Sequence, residues 1–175
     1  MQENDLSSKQ SWKHKVKVAI YDHEGSLWST RLQSDPDFML FQILHTDIKP
    51  CIVYQISKQS SFRQTMSIIA RLWCRPCTLS NFYCDKCESV YQEQLVHVLV
   101  DCEHTSQILF EFINDICNAS SDAFFNELCM LDNIGFTLRL LGAPLMPIIE
   151  PIDEIQFLKL SYAFVVKSIR TYFNM

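Results

Sequence analysis

Three cysteines and one histidine lie within the nineteen residues CDKCESVYQEQLVHVLVDC, from Cys84 to Cys102. Cys84 and Cys87 are two residues apart, a spacing typical of zinc sites because a tight turn can hold two sulfurs at the separation of about 3.7 Å that tetrahedral coordination requires. His97 and Cys102 provide a second pair of ligands. This stretch therefore predicts one structural Zn²⁺ bound by three thiolates and a neutral imidazole.

The residues around His97 favour a short helix. Residues 95–100 form an apolar run that holds His97 near the helix end, and Cys102 is expected just past that end because residues i and i+5 do not share a helix face. Glu93 precedes His97 by four residues. On a helix, its carboxylate would accept the second N–H of the imidazole and orient the ring.

Two other cysteines leave an alternative ligand set open. Cys74 and Cys77 form a second C-x2-C pair, which with Cys84 and Cys87 could make a four-thiolate site, although the six-residue gap is shorter than usual for such sites. The same spacing matches half of a binuclear six-cysteine cluster, but the next ligand positions hold residues that do not bind metals. His104 is a reserve ligand.

A reading without metal is also possible. Cys84 and Cys87 would then be turn residues, His97 a surface histidine and Cys102 a small core residue. A C-x2-C pair alone is weak evidence, but a His-x4-Cys pair that follows within fifteen residues favours the metal site. The remaining cysteines are interpreted as core residues: Cys51, Cys117 and Cys129.

Composition favours a mainly α fold. The 175 residues include only three glycines, 48% are hydrophobic and 20% are charged, which favours a globular helical chain over a glycine-turned β-sandwich or disorder. A chain of this length buries roughly 70% of its unfolded surface, so its size alone does not require a metal. We therefore expect a small helical domain with an embedded zinc knuckle.

Apolar periodicity predicts helices on both sides of the knuckle. Before it, helices are expected over 11–20, 37–48 and 61–73, with a break at 24–38 where Gly25 and Pro36 lie. After it, one helix is expected with Thr105 or Ser106 as its N-cap, and another is expected to begin near Ser120 or Ser121. A connector is expected over 141–154, followed by a long amphipathic helix. Its apolar stripe consists of Ile155, Leu158, Tyr162, Val165, Ile169 and Phe173.

Charge is unevenly distributed along the chain. Residues 1–75 carry 10 lysines and arginines against 7 aspartates and glutamates, whereas residues 76–175 carry 5 against 13, so the two parts have net charges of +3 and −8. Because nucleic-acid affinity depends on neutralising phosphates, any nucleic-acid contact is expected in the first part. The candidates are Lys13, Lys15, Lys17, Arg71 and Arg75.

Three segments follow from these patterns: a helical lead-in over 1–75, the zinc motif over 76–104 and a helical tail over 105–175. The N-terminal residues lack an apolar signal region and no later apolar run spans a bilayer, so a cytoplasmic or nuclear protein without a membrane partner is expected. In a reducing compartment, clustered cysteines are better explained as metal ligands than as disulfides.

The pattern C-x2-C, glutamate, H-x4-C resembles the zinc-binding region that follows the polymerase domain in non-LTR (LINE-type) retrotransposon reverse transcriptases. SIIARL resembles the helix that leads into that region, TSQILFEFINDI the helix that follows, and LRLLGAPL with FLKLSYAFVVKSIRTYF the hydrophobic tail. The resemblance implies that the metal ligands are Cys84, Cys87, His97 and Cys102. Glu93 matches the glutamate that precedes the histidine in the family pattern, and Cys74 and Cys77 match no position of that pattern.

The resemblance implies a role near template RNA or target DNA. Polymerisation needs paired aspartates that hold two metal ions, and the sequence contains no Asp-Asp dipeptide. We therefore expect a non-catalytic segment that has no small-molecule substrate. This segment would assist a polymerase or another protein in binding RNA or DNA. The alternative is a stand-alone structural zinc module that binds a protein. Whether the basic residues gather on one surface distinguishes these two hypotheses.

Overall fold

Helices make up most of the computed structural model, which describes residues 3–35, 39–44, 56–73, 82–143 and 151–174. The expected mainly α fold with an embedded Cys/His cluster is confirmed. Before the knuckle lie α1 (Glu3–Ser34), α2 (Met39–Leu44), a 3₁₀ turn (Ser60–Phe62) and α3 (Arg63–Trp73). The knuckle contains β1 (Phe82–Cys84), β2 (Ser89–Tyr91), α4 (Gln94–Val96) and a π-helical turn (His97–Asp101). After it lie α5 (Ser106–Ala119), α6 (Asp122–Cys129), α7 (Asn133–Leu140) and α8 (Pro151–Phe173).

The break predicted at 24–38 was wrong for most of that range. Helix α1 continues through Gly25 and ends at Ser34. A single glycine inside a helix costs only about 1 kcal/mol relative to alanine, which a long helix tolerates. Helix α2 packs against α1, and the Trp28 ring of α1 meets the Phe41 ring of α2 edge-on, with centroids 5.7 Å apart.

Helix α8 lies at the centre of the hydrophobic core, with α3, α5, α7 and the π-helical turn packed around it. It begins at Pro151, inside the predicted connector, because proline is well suited to the first turn of a helix. Since neighbours cover several of its faces, Phe157, Phe164 and Val166 are buried in addition to four members of the predicted stripe, Leu158, Tyr162, Val165 and Ile169. Phe173, the last member of that stripe, is exposed.

Residues from all three predicted segments contribute to this core. Ile69 and Trp73 of α3 and Leu99 of the π-helical turn are buried with Phe112 of α5 and Leu158 of α8. The Trp73 indole N–H also donates to the Leu141 carbonyl at 3.1 Å. The π-helical turn therefore packs directly against the main core through Leu99.

Two features of the region from α5 to α7 differ from the sequence predictions. Helix α7 was not predicted, although Asp132 is an N-cap whose carboxylate accepts the Gly135 N–H at 2.7 Å. Cys117 and Cys129 were expected in the core but are exposed. In α5 the buried positions are Phe112 and Ile116, so the next residue in sequence points away from the core.

Among the helices described above, none combines the length and the hydropathy that are needed to cross a bilayer.

Candidate metal centre

Cys84, Cys87, His97 and Cys102 come together in space. Their candidate ligand atoms all lie within 4.8 Å of one another. Cys84 has 0% of its surface exposed, His97 1% and Cys102 1%, while Cys87 is partly exposed. The structure thus brings together the four residues that the spacing singled out, in a cluster that could hold a metal ion.

A short β-hairpin positions the first two cysteines. Strands β1 and β2 pair antiparallel, with Phe82 opposite Tyr91 and Cys84 opposite Ser89. The turn over 85–88 ends at Glu88, whose φ of 51° lies in the left-handed region. Within this turn, the backbone N–H groups of Lys86 and Cys87 donate to the Cys84 sulfur. The two-residue spacing between the cysteines therefore lets backbone N–H groups of the turn point at the sulfur of the first cysteine.

A π-helical turn positions the other two ligands. The Cys102 N–H donates to the His97 carbonyl at 2.7 Å, which closes an i to i+5 hydrogen bond. This wider turn places Cys102 one turn after His97, at the end of the helix, so that both side chains reach the cluster. Cys102 lies just past the helix end, as expected from the sequence.

Sulfur spacing in the cluster agrees with metal coordination. The sulfurs of Cys87 and Cys102 are 3.6 Å apart. This distance is far longer than a disulfide bond of about 2.05 Å. It matches the separation of about 3.7 Å between two thiolates on a tetrahedral zinc ion.

His97 is buried against aromatic rings of the hairpin. Its imidazole stacks on Tyr91 with centroids 3.5 Å apart and lies 5.6 Å from the Phe82 ring. Neither ring nitrogen has a hydrogen-bond partner among the residues that the structure describes. A buried polar atom without a partner is costly, and coordination to a metal would satisfy one of these nitrogens.

Burial also favours the neutral imidazole that metal binding requires. It lowers the pKa of His97, and the nearby Asp101 carboxylate only partly opposes this effect. The ring is therefore neutral at pH 7 and has a lone pair available for a metal.

The cysteine thiols of the cluster have different electrostatic environments. Burial raises the pKa of Cys102 to about 11, so this thiol is protonated at neutral pH. Burial also acts to raise the pKa of Cys84, but hydrogen bonds from Tyr172 and from the backbone N–H groups of Cys87 and Lys86 outweigh it and the pKa is lowered. A metal ion bound at this cluster would therefore displace a proton from Cys102.

The predicted contact between Glu93 and the imidazole is not formed in the described part of the chain. Glu93 is the extended residue before α4, with φ −131° and ψ 101°, rather than a member of the helix. Its backbone carbonyl, not its side chain, contacts the histidine by accepting the His97 N–H at 2.9 Å. The helix starts one residue too late for the predicted pairing.

The structure does not describe all of the other candidate residues. Those outside the described ranges are Cys51, Cys74, Arg75 and Cys77, so the four-thiolate alternative stays open. The reserve ligand His104 is not a member of the cluster, and it is its backbone N–H that donates to the Cys102 sulfur.

Two residues outside the predicted ligand set support the cluster. The Tyr172 hydroxyl, from the last turn of α8, donates to the Cys84 sulfur at 3.2 Å. Thr105, one of the two candidate N-caps of α5, makes no side-chain cap and instead donates its hydroxyl to the Val98 carbonyl at 2.7 Å. The only sequence signal for Tyr172 was its position three residues after Ile169 on the predicted apolar stripe.

Of the predicted nucleic-acid contacts, Lys13, Lys15 and Lys17 are exposed on α1, and Arg71 is exposed on α3. Lys13 and Lys17 are four residues apart and share a helix face, whereas Lys15 points elsewhere. Lys13 and Lys17 line a shallow depression together with Trp12, Val16, Ile20 and Tyr21.

No protein-family model, curated protein or solved structure matches this chain. The resemblance to the zinc-binding region of retrotransposon reverse transcriptases therefore depends on the quoted residues alone and stays a prediction.

Proposed function

We propose that this chain is a non-catalytic zinc-binding segment, similar to the one that follows the polymerase domain in non-LTR retrotransposon reverse transcriptases, and that it assists nucleic-acid binding. The observation that carries the metal part of this proposal is the cluster of four ligand atoms within 4.8 Å, with a buried imidazole that has no hydrogen-bond partner in the described chain.

The donor set favours zinc over other divalent ions. Soft thiolates together with an imidazole suit Zn²⁺, whereas Mg²⁺ and Ca²⁺ prefer oxygen ligands. Four protein ligands would fill a tetrahedral coordination sphere and leave no open position for a substrate. The proposed role of the ion is therefore structural: it joins the hairpin to the π-helical turn.

Protein purified without added metal should contain one zinc ion per chain. Apparent zinc affinity should rise with pH, since the Cys102 thiol, with a pKa of about 11, must lose its proton on binding. Elemental analysis and competition with a chromophoric chelator between pH 6 and 8 measure both effects. Folded protein that lacks zinc and gains none on titration would contradict the proposed metal site.

A row of lysines on α1 supports the nucleic-acid part of the proposal. Lys9, Lys13 and Lys17 are exposed and follow one another at intervals of four residues, so they form one basic edge of the helix. The aromatic rings of Trp12 and Tyr21 border it and are 64% and 49% exposed. Cationic side chains beside exposed aromatic rings suit a single strand, whose phosphates and bases they can contact together.

Single-stranded RNA should bind the protein with an affinity that falls steeply as salt rises. Replacing Lys13 or Lys17 by glutamine should weaken binding and reduce the slope of log K against log salt by about 0.7 for each phosphate contact that is lost. Lys15→Gln is the matched control, because it removes the same charge from a different face. Gel-shift titrations at several salt concentrations measure the slope, and equal effects of all three variants would contradict a defined contact surface.

Protein binding is the alternative function, and one observation favours it. Tyr83 and Val90 are opposite each other on the hairpin and are 61% and 64% exposed, so the knuckle presents an apolar pair to solvent. This pair lies in the acidic part of the chain, which does not favour phosphate contacts. Absence of any salt-dependent RNA binding would leave this function as the better proposal.

A further inference from the structure

A buried hydrogen bond joins the last turn of α8 to the Cys/His cluster. Tyr172 lies 88 residues after Cys84 in sequence and donates its hydroxyl to the Cys84 sulfur at 3.2 Å. Both residues are buried, and they pack in one small cluster with Val98 and Cys102. This cluster is separate from the main core around α8.

Ordinary packing would not require a hydroxyl at this position. The ring of Tyr172 already fills the space beside Val98, and phenylalanine would do so equally well. A buried tyrosine hydroxyl needs a partner, and here that partner is a candidate metal ligand. The phenol is protonated at neutral pH, so it can act as a donor to a thiolate.

We propose that Tyr172 is a positioning residue of the metal centre, which holds the Cys84 thiolate in its binding orientation and couples metal binding to docking of the last turn of α8. This inference rests on the proposed metal site. The Tyr172 donor joins the Lys86 and Cys87 backbone N–H groups on the same sulfur. Donors of this kind fix the orientation of a ligand and tune the bond that it makes to the metal.

The coupling works in both directions. If docking of α8 improves metal binding, then metal binding must stabilise the docked last turn by the same factor. Cys84 belongs to the hairpin and Tyr172 to the C-terminal helix, so this hydrogen bond connects the hairpin to an element that also packs in the main core.

Tyr172→Phe tests the proposal. Tyr83→Phe is the matched control, since it removes the same hydroxyl from an exposed tyrosine on the hairpin that carries Cys84. Zinc release to excess chelator should be roughly tenfold faster in Tyr172→Phe, the scale expected for loss of an outer hydrogen-bond partner. The sulfur-to-metal charge-transfer band of the Co²⁺-loaded protein should shift in this variant. Tyr83→Phe should match the wild type in both measurements.

Hydrogen exchange of the wild-type protein provides a second test that does not depend on a variant. Zinc should increase protection of the backbone amides over 171–173. The inference is overturned if the wild type binds Zn²⁺ and Co²⁺ but Tyr172→Phe shows the same release rate and the same spectrum, or if exchange over 171–173 is independent of zinc. A wild type that binds neither ion would instead contradict the proposed metal site itself.

Discussion

Replacing Cys84 by serine or His97 by alanine should abolish tight zinc binding, whereas Cys74→Ser and Cys77→Ser should each retain one zinc ion per chain. The ligand atoms of Cys84 and His97 belong to the cluster that spans only 4.8 Å. Each variant removes one of four ligands, and zinc binding in small structural sites is worth about 10–16 kcal/mol. Elemental analysis and chelator competition on purified variants measure the loss.

Loss of the metal should unfold the knuckle but not the rest of the domain. Without zinc, hydrogen-exchange protection should fall across residues 84–104 and persist across 155–170. The reason is that large side chains of α5 and α8, such as Phe112, Leu158 and Val165, remain buried in a separate core. Each contributes roughly 1.5–3 kcal/mol by burial alone. Uniform loss of protection would mean that the metal controls the global fold.

Controls distinguish the two possible ligand sets. Cys117→Ser removes an exposed thiol outside the cluster and should leave zinc binding unchanged. If Cys74→Ser and Cys77→Ser abolish zinc binding while His97→Ala preserves it, the four-thiolate site would replace the mixed one.

The four clustered residues could be predicted from the sequence because the geometry of a metal site is encoded in local spacing. Two residues between Cys84 and Cys87 define a turn, and four between His97 and Cys102 allow one wide helical turn. The i to i+5 bond that forms this turn was not predictable, since apolar periodicity does not distinguish α from π geometry. Nor was the Tyr172 contact, which joins residues that are distant in the sequence.

Helix content was predicted better than helix boundaries and burial. Gly25 and Pro36 were both interpreted as parts of a break, but the helix continues through Gly25 and ends at Ser34, two residues before Pro36. One glycine lowers the stability of a 32-residue helix only slightly. Helix α7 was missed because its eight residues include Gly135 and Thr137, and both residue types have low helix propensity. The exposed cysteines show that residue type alone does not determine burial when an adjacent position faces the core.

Arg139→Met should destabilise the protein by about 3–5 kcal/mol, the usual cost of breaking a buried ion pair by removing one partner. Arg139 in α7 and Glu154 in α8 are 1% and 6% exposed. The guanidinium donates through both terminal nitrogens to both carboxylate oxygens, with the Nη1 to Oε1 distance at 2.9 Å. It also lies 4.6 Å from the centroid of the Phe157 ring. In the variant, Glu154 would be left as a buried carboxylate without its cation.

Urea unfolding of Arg139→Met should therefore show a much lower midpoint than the wild type. Arg139→Met combined with Glu154→Leu should recover much of the loss, because an apolar pair of similar volume replaces both charges at once. The double variant separates the cost of an orphaned charge from the loss of packing. Equal destabilisation in the single and double variants would show that packing, not charge, dominates at this position.

Lys167 and Glu111 provide a matched exposed pair that joins α8 to α5. The Lys167 ammonium donates to the Glu111 carboxylate at 2.8 Å, but the two side chains are 59% and 49% exposed. Solvent screens such a pair, so Lys167→Met should change the free energy of unfolding by less than about 1 kcal/mol. Both pairs connect α8 to a neighbouring helix, so a large difference between the two variants must come from burial. If Arg139→Met costs no more than Lys167→Met, the buried pair does not hold α7 against α8, and the apolar contacts of Leu140 and Leu158 must do so instead.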